Sequence, residues 1–144
     1  MIYLHAQWGR GRARRDPRSC GEAWVGGRDG AWSAQRVGPE AREPDLSAAV
    51  RRSSAGAGMS DRISRAGPQG GDALEQSWHG ADLRIHTARS EPYGMVVTEA
   101  LARGIPAIVP QDTGAAEAQQ GAGAQVPVAD PAALAVALED WLTH

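Results

Sequence analysis

Ala81-Asp-Leu-Arg-Ile-His-Thr-Ala-Arg-Ser-Glu91-Pro-Tyr-Gly-Met-Val-Val-Thr-Glu99-Ala-Leu-Ala-Arg-Gly104-Ile-Pro-Ala-Ile-Val-Pro110 reads as strand, loop, helix and strand in turn. Leu83, Ile85 and Thr87 alternate as a short strand, with His86 among them. From Met95 to Arg103, Val97, Ala100 and Leu101 fall at i, i+3 and i+4, so one face of a helix is apolar. Gly104 followed by Pro106 ends that helix, and Ile105 to Val109 forms the next buried strand. Two strands joined by a helix are a βαβ unit, which requires a parallel sheet with its ligands beyond the carboxyl ends of the strands. The loop holding Glu91 would lie at that end.

The same grammar continues on both sides. Gly71 to Gly80 carries Leu74 and Trp78 at i and i+4 with Asp72 near the start, which predicts a short helix. Gly114 to Gln120 predicts another, and Gln125 to Val128 a last strand. Asp130 is placed to cap a final helix that has Pro131 in its first turn and Leu134, Leu138 and Trp141 on its inner face. The expected order from Met59 onward is β-α-β-α-β-α-β-α, an α/β fold with a Rossmann-like parallel sheet and flanking helices.

Residues 1–58 differ in kind. They carry ten Arg against six acids, whereas residues 59–144 carry five Arg against eleven acids, for a formal net charge of −2 over 144 residues. Neither the helical nor the strand period lasts more than a few positions there, which predicts a low-order Arg- and Gly-rich segment. The abrupt change near Met59 motivates the expectation that residues 1–58 stem from a frameshifted or misassigned start. Arg10 to Arg18 raises a nucleic-acid reading, because clustered arginine neutralises phosphates, but a solvated tail explains the run more simply.

Cys20 is alone, which excludes a disulfide framework and a cysteine-rich zinc site. Met1 to Trp8 is too short and polar for a signal-peptide core, and nothing approaches the roughly 18 apolar residues of a membrane span. A cytoplasmic location is the simplest expectation.

The run from Asp61 to about Leu142 resembles the donor-binding half of a GT-B glycosyltransferase, of the family 4 type (glycosyl transferases group 1) that includes sucrose synthases, bacterial mannosyltransferases and glycogen synthases. The resemblance rests on six elements in the family's order and spacing. They are Asp61-Arg-Ile63 with Gly67, Ala81-Asp-Leu83, the E-x7-E element Glu91 to Glu99, Gly104-Ile-Pro106, Thr113-Gly-Ala-Ala-Glu117 and Asp130-Pro-Ala-Ala-Leu134. Of the family's Gly-Arg-Leu…Lys-Gly signature, only Trp24-Val-Gly-Gly-Arg28 offers an echo.

The resemblance implies half of a GT-B fold, with residues 59–144 as a partial donor-binding domain and the acceptor-binding N-terminal domain missing from this chain. It implies a hexosyltransferase that takes a nucleotide-diphosphate sugar as donor substrate, has no cofactor and no metal, and transfers the sugar with retention to an acceptor hydroxyl. Catalytic Glu91 would hold donor sugar hydroxyls, with Tyr93, Gly94 and Met95 nearby, and Glu99 the two ribose hydroxyls. The amides of Gly94, Met95, Val96 and Val97, at a helix N-terminus, suit a diphosphate. His86 is a candidate for phosphate or sugar, and Glu117 for the base or ribose. Two other readings stay open: a catalytically inactive remnant that binds nucleotide weakly, and an Arg-tailed nucleic-acid binder.

Overall fold

The computed structural model describes residues 2–7, 31–37 and 44–143. In chain order these form β1 (Ile2–Gln7), β2 (Ala31–Val37), α1 (Pro44–Gly56), β3 (Ile63–Gly67), α2 (Gly71–Gly80), β4 (Leu83–Ile85), α3 (Met95–Ala102), β5 (Ala107–Pro110), α4 (Gly114–Gln119), β6 (Gly123–Val126) and α5 (Pro131–Thr143). From β3 onward, strand and helix alternate as the periodicity predicts. The α/β class with a Rossmann-like sheet and flanking helices is what the structure shows.

The six strands form one sheet in the order β3-β2-β1-β4-β5-β6. Pairs β2–β3, β4–β5 and β5–β6 are parallel, while β1 runs antiparallel to both its neighbours, β2 and β4. Strand β1 therefore runs against the rest. The order also reverses there, since β1 to β3 build toward one edge and β4 to β6 toward the other.

Within residues 1–58 the structure describes two strands and a helix where the sequence shows no sustained period. Strand pairing is a matter of backbone groups and needs no side-chain alternation when neighbours supply both edges. Helix α1 begins on Pro44, a residue suited to the first helical position because its missing N–H would have had no partner. The Arg10–Arg18 run and Trp24–Arg28 lie outside the described residues.

Two layers of side chains hold the parallel half together. On one face, Leu83, Ile85 and Ile108 pack with Leu134, Leu138 and Trp141 of α5, the three residues expected on its inner side. On the other, Val97 of α3, Ala107 and Val109 of β5 and Ala115 of α4 form a second cluster. Strand β4 is buried throughout, Arg84 included at 1% exposure, so the expected alternation ending in Thr87 is replaced by a strand covered on both faces.

Local signals set most helix ends. Helix α3 stops in a Schellman arrangement, with Gly104 N–H donating to the Leu101 carbonyl and Ile105 N–H to that of Ala100. Ile105 and Ala100 then share a core cluster with Trp78 and Ala81. Arg103 lies 5.0 Å from the centre of the Trp78 ring and reaches Glu75 at 2.6 Å, tying α2 to the end of α3. The last strand is Gly123–Val126 rather than Gln125–Val128: pairing with Ala107–Pro110 sets its start, and Pro127, which has no N–H to donate, ends it.

Candidate functional site

At the carboxyl ends of β4 and β5, two loops converge, Glu91–Gly94 and Gln111–Thr113. They are joined by backbone, for the Gly114 N–H donates to the Glu91 carbonyl at 2.8 Å. The approach is so close that a Cβ on Gly114 would stand 2.2 Å from the Pro92 oxygen. One on Gly94 would stand 2.8 Å from both the Ala118 Cβ and the Gly114 oxygen. Gly94 also adopts a left-handed conformation, φ 60° and ψ 27°, that turns the chain into α3. These two glycines thus bring the N-termini of α3 and α4 side by side.

Glu91 is one-quarter exposed. Its Oε1 accepts from the amides of Tyr93 (3.3 Å) and Gly94 (3.1 Å), which orients the carboxylate. Its Oε2 lies 3.9 Å from His86 Nε2. His86 is placed by its own N–H, which donates to the Ile108 carbonyl at 2.9 Å and extends the β4–β5 pairing by one residue. Burial pushes the imidazole pKa below its ordinary value, with the charge of Arg84 acting in the same direction and that of Glu91 opposing. The side chain is 8% exposed, and Nε2 has no hydrogen-bond partner among the described residues.

Four amides were expected to face a diphosphate, and the structure divides them. Gly94 donates to Glu91, and Val97 donates to the Gly94 carbonyl at 2.9 Å, the usual tightening of a first turn. Met95 and Val96 have no acceptor among the described residues. They are the open end of α3. Glu99 is exposed one turn beyond Met95 on the same face, about 6 Å along the axis at ~1.5 Å per residue. Its carboxylate forms no hydrogen bond or ion pair among the described residues. Tyr93 and Met95 are exposed at 78% and 65%, forming an apolar lip beside the open amides.

Glu117 is exposed in the first turn of α4, behind the Thr113 cap. The Thr113 Oγ1 accepts from the Ala116 amide and its hydroxyl donates to the Pro110 carbonyl, so the residue is occupied in closing α4 onto β5. The structure thus brings His86, Glu91, Gly94 and Gly114 together and leaves Glu99 and Glu117 on exposed helical faces. The part played by Gly114 was carried by the Thr113-Gly114 step, legible as a helix start but not as a contact with Glu91. Buried Gln119, which donates to the carbonyls of Ala107 and Ala124, gave no sequence signal at all.

Among the described residues, no group of three or more His, Cys, Asp or Glu side chains could hold a metal ion, and no helix is long and apolar enough to cross a membrane. The profile of the family described as Glycosyl transferases group 1 matches residues 27–144, beginning upstream of Met59. No curated protein matches the chain.

Proposed function

Because the chain belongs to the glycosyl transferases of group 1, we propose that the Glu91 loop and the N-terminus of α3 hold a nucleotide-diphosphate sugar for retaining transfer of a hexosyl group to an acceptor hydroxyl. The observation that carries this reading is the state of Glu91: one carboxylate oxygen is satisfied by two amides, and the other is left to accept hydroxyl protons. Charge-assisted bonds of that kind are the stronger ones. The open amides of Met95 and Val96 then meet the diphosphate at the positive end of the helix. Glu99, on the same face, takes the ribose hydroxyls.

In the transfer, the anomeric carbon exchanges its bond to the diphosphate oxygen for one to the acceptor oxygen, and the acceptor proton passes to the departing diphosphate. Negative charge grows on the leaving group, where fixed N–H dipoles stabilise it. The chain has no lysine among its 15 basic residues, so arginine and helix amides must provide that stabilisation. The same shortage favours the second reading, a chain that binds nucleotide without turning over.

Calorimetric titration of the full chain with UDP, GDP and their hexose conjugates tests the site. Saturable binding is expected, and Glu99→Ala should weaken both the free nucleotide and its sugar about tenfold, the worth of a charged hydrogen bond. Equal affinity in wild type and Glu99→Ala refutes the placement. Binding without release of free nucleotide diphosphate in the presence of acceptor selects the second reading.

A further inference from the structure

His86 is left over by this account. It is a polar side chain more than nine-tenths buried at the end of the central strand β4, and its Nε2 is neither solvated nor bonded among the described residues. Such a group normally finds a partner. The nearest carboxylate oxygen, Glu91 Oε2 at 3.9 Å, is beyond hydrogen-bond range. A direct ion pair is also disfavoured, since burial and Arg84 hold the imidazole toward its neutral form.

We propose that His86 Nε2–H and Glu91 Oε2 form a two-point receptor for one hydroxyl of the transferred sugar. The imidazole N–H donates to the hydroxyl oxygen, and the carboxylate accepts the hydroxyl proton. Groups 3.9 Å apart are close enough for one oxygen about 2.8–2.9 Å from each to bridge them, and a small turn of the imidazole toward the Glu91 loop would open Nε2 to it. The pairing is selective by chemistry. A phosphate oxygen has no proton for Glu91 and is repelled by it, whereas a hydroxyl is donor and acceptor at once. His86 is on this account a specificity-determining residue, discriminating against sugars that lack a hydroxyl at this position. The inference rests on the donor-site reading above.

The test is calorimetry on the full chain with UDP- and GDP-linked glucose, galactose and mannose, followed by monodeoxy analogues of the tightest binder. His86→Ala should weaken the nucleotide sugar about tenfold and leave the free nucleotide diphosphate within about twofold. One monodeoxy analogue should lose both bonds on wild type, and its penalty should be about tenfold smaller on His86→Ala, where only the bond to Glu91 remains to be lost. His86→Gln, whose amide N–H reaches the position of Nε2, should restore most of the affinity. Where His86→Ala does not fold, the monodeoxy series on wild type and His86→Gln decides. Equal weakening of sugar and free nucleotide by His86→Ala, a deoxy penalty that His86→Ala leaves unchanged, or the absence of any deoxy penalty on wild type and His86→Gln overturns the role of His86 while the donor site stands. If wild type binds neither nucleotide nor sugar, the donor-site reading itself fails and takes this inference with it.

Discussion

Helices α3 and α5 begin with the same chemistry put to different ends. Asp130 Oδ1 accepts from the amides two and three residues ahead, Ala132 and Ala133, at 3.0 and 2.9 Å. Glu91 Oε1 does the same with Tyr93 and Gly94. In α5 those amides belong to the first turn, so the carboxylate closes the helix. In α3 they precede it, so the carboxylate shapes the loop and leaves Met95 and Val96 open. A capped helix is finished; one whose cap is displaced upstream by a left-handed glycine keeps donors for a ligand.

The largest effect is expected where α3 leans on α4. Gly114→Ala would drive a Cβ to 2.2 Å from the Pro92 oxygen and 2.7 Å from that of Glu91. Overpacking against rigid backbone costs about 3 kcal/mol, the upper end for such changes, and should lower the melting temperature by more than 10 °C or so in a chain of this size. It should also abolish nucleotide binding, because the Glu91 loop must move. A variant that melts and binds like wild type would break the comparison at its base.

Glu91→Gln should come next. The amide oxygen can still accept from Tyr93 and Gly94, so stability changes little, but sugar-nucleotide affinity should fall about tenfold with loss of the charge. Asp130→Ala is its control: about 1 kcal/mol of stability is lost in thermal unfolding, with nucleotide affinity unchanged. If the two carboxylates exchange these phenotypes, the distinction between a finished and an open helix end is wrong.

The smallest effect concerns acid. The folded-state pKa of His86 is depressed below its ordinary 6.5, so between those two values the unfolded chain binds the extra proton. The contribution of His86 is therefore fully present above pH 6.5 and lost as pH falls below it. His86→Gln should flatten this part of the stability profile in urea titrations between about pH 7 and 5; an unchanged slope would mean that the imidazole is not desolvated.

Much of the fold was legible from local rules. Gly71–Gly80 was read to the residue, and Gly104 with Pro106, Thr113 with Gly114 and Asp130 with Pro131 marked helix ends where the structure has them. The candidate site was legible in composition but not in arrangement. Spacing could show that Glu91 precedes a helix and Glu99 lies on it. It could not show which amides Glu91 would consume, nor that β4 would be buried on both faces with Arg84 inside.

What sequence alone determined are the events that close within about four residues, caps, turns and the apolar stripes of α2, α3 and α5, because their partners are supplied by the chain's immediate neighbours. Tertiary structure decided the rest: the antiparallel β1 in the middle of the sheet, the contact of Gly114 with a loop more than twenty residues upstream, and the facing of His86 toward Glu91. Those depend on which elements the core brings together, and no local pattern encodes the close approach of backbones distant in sequence.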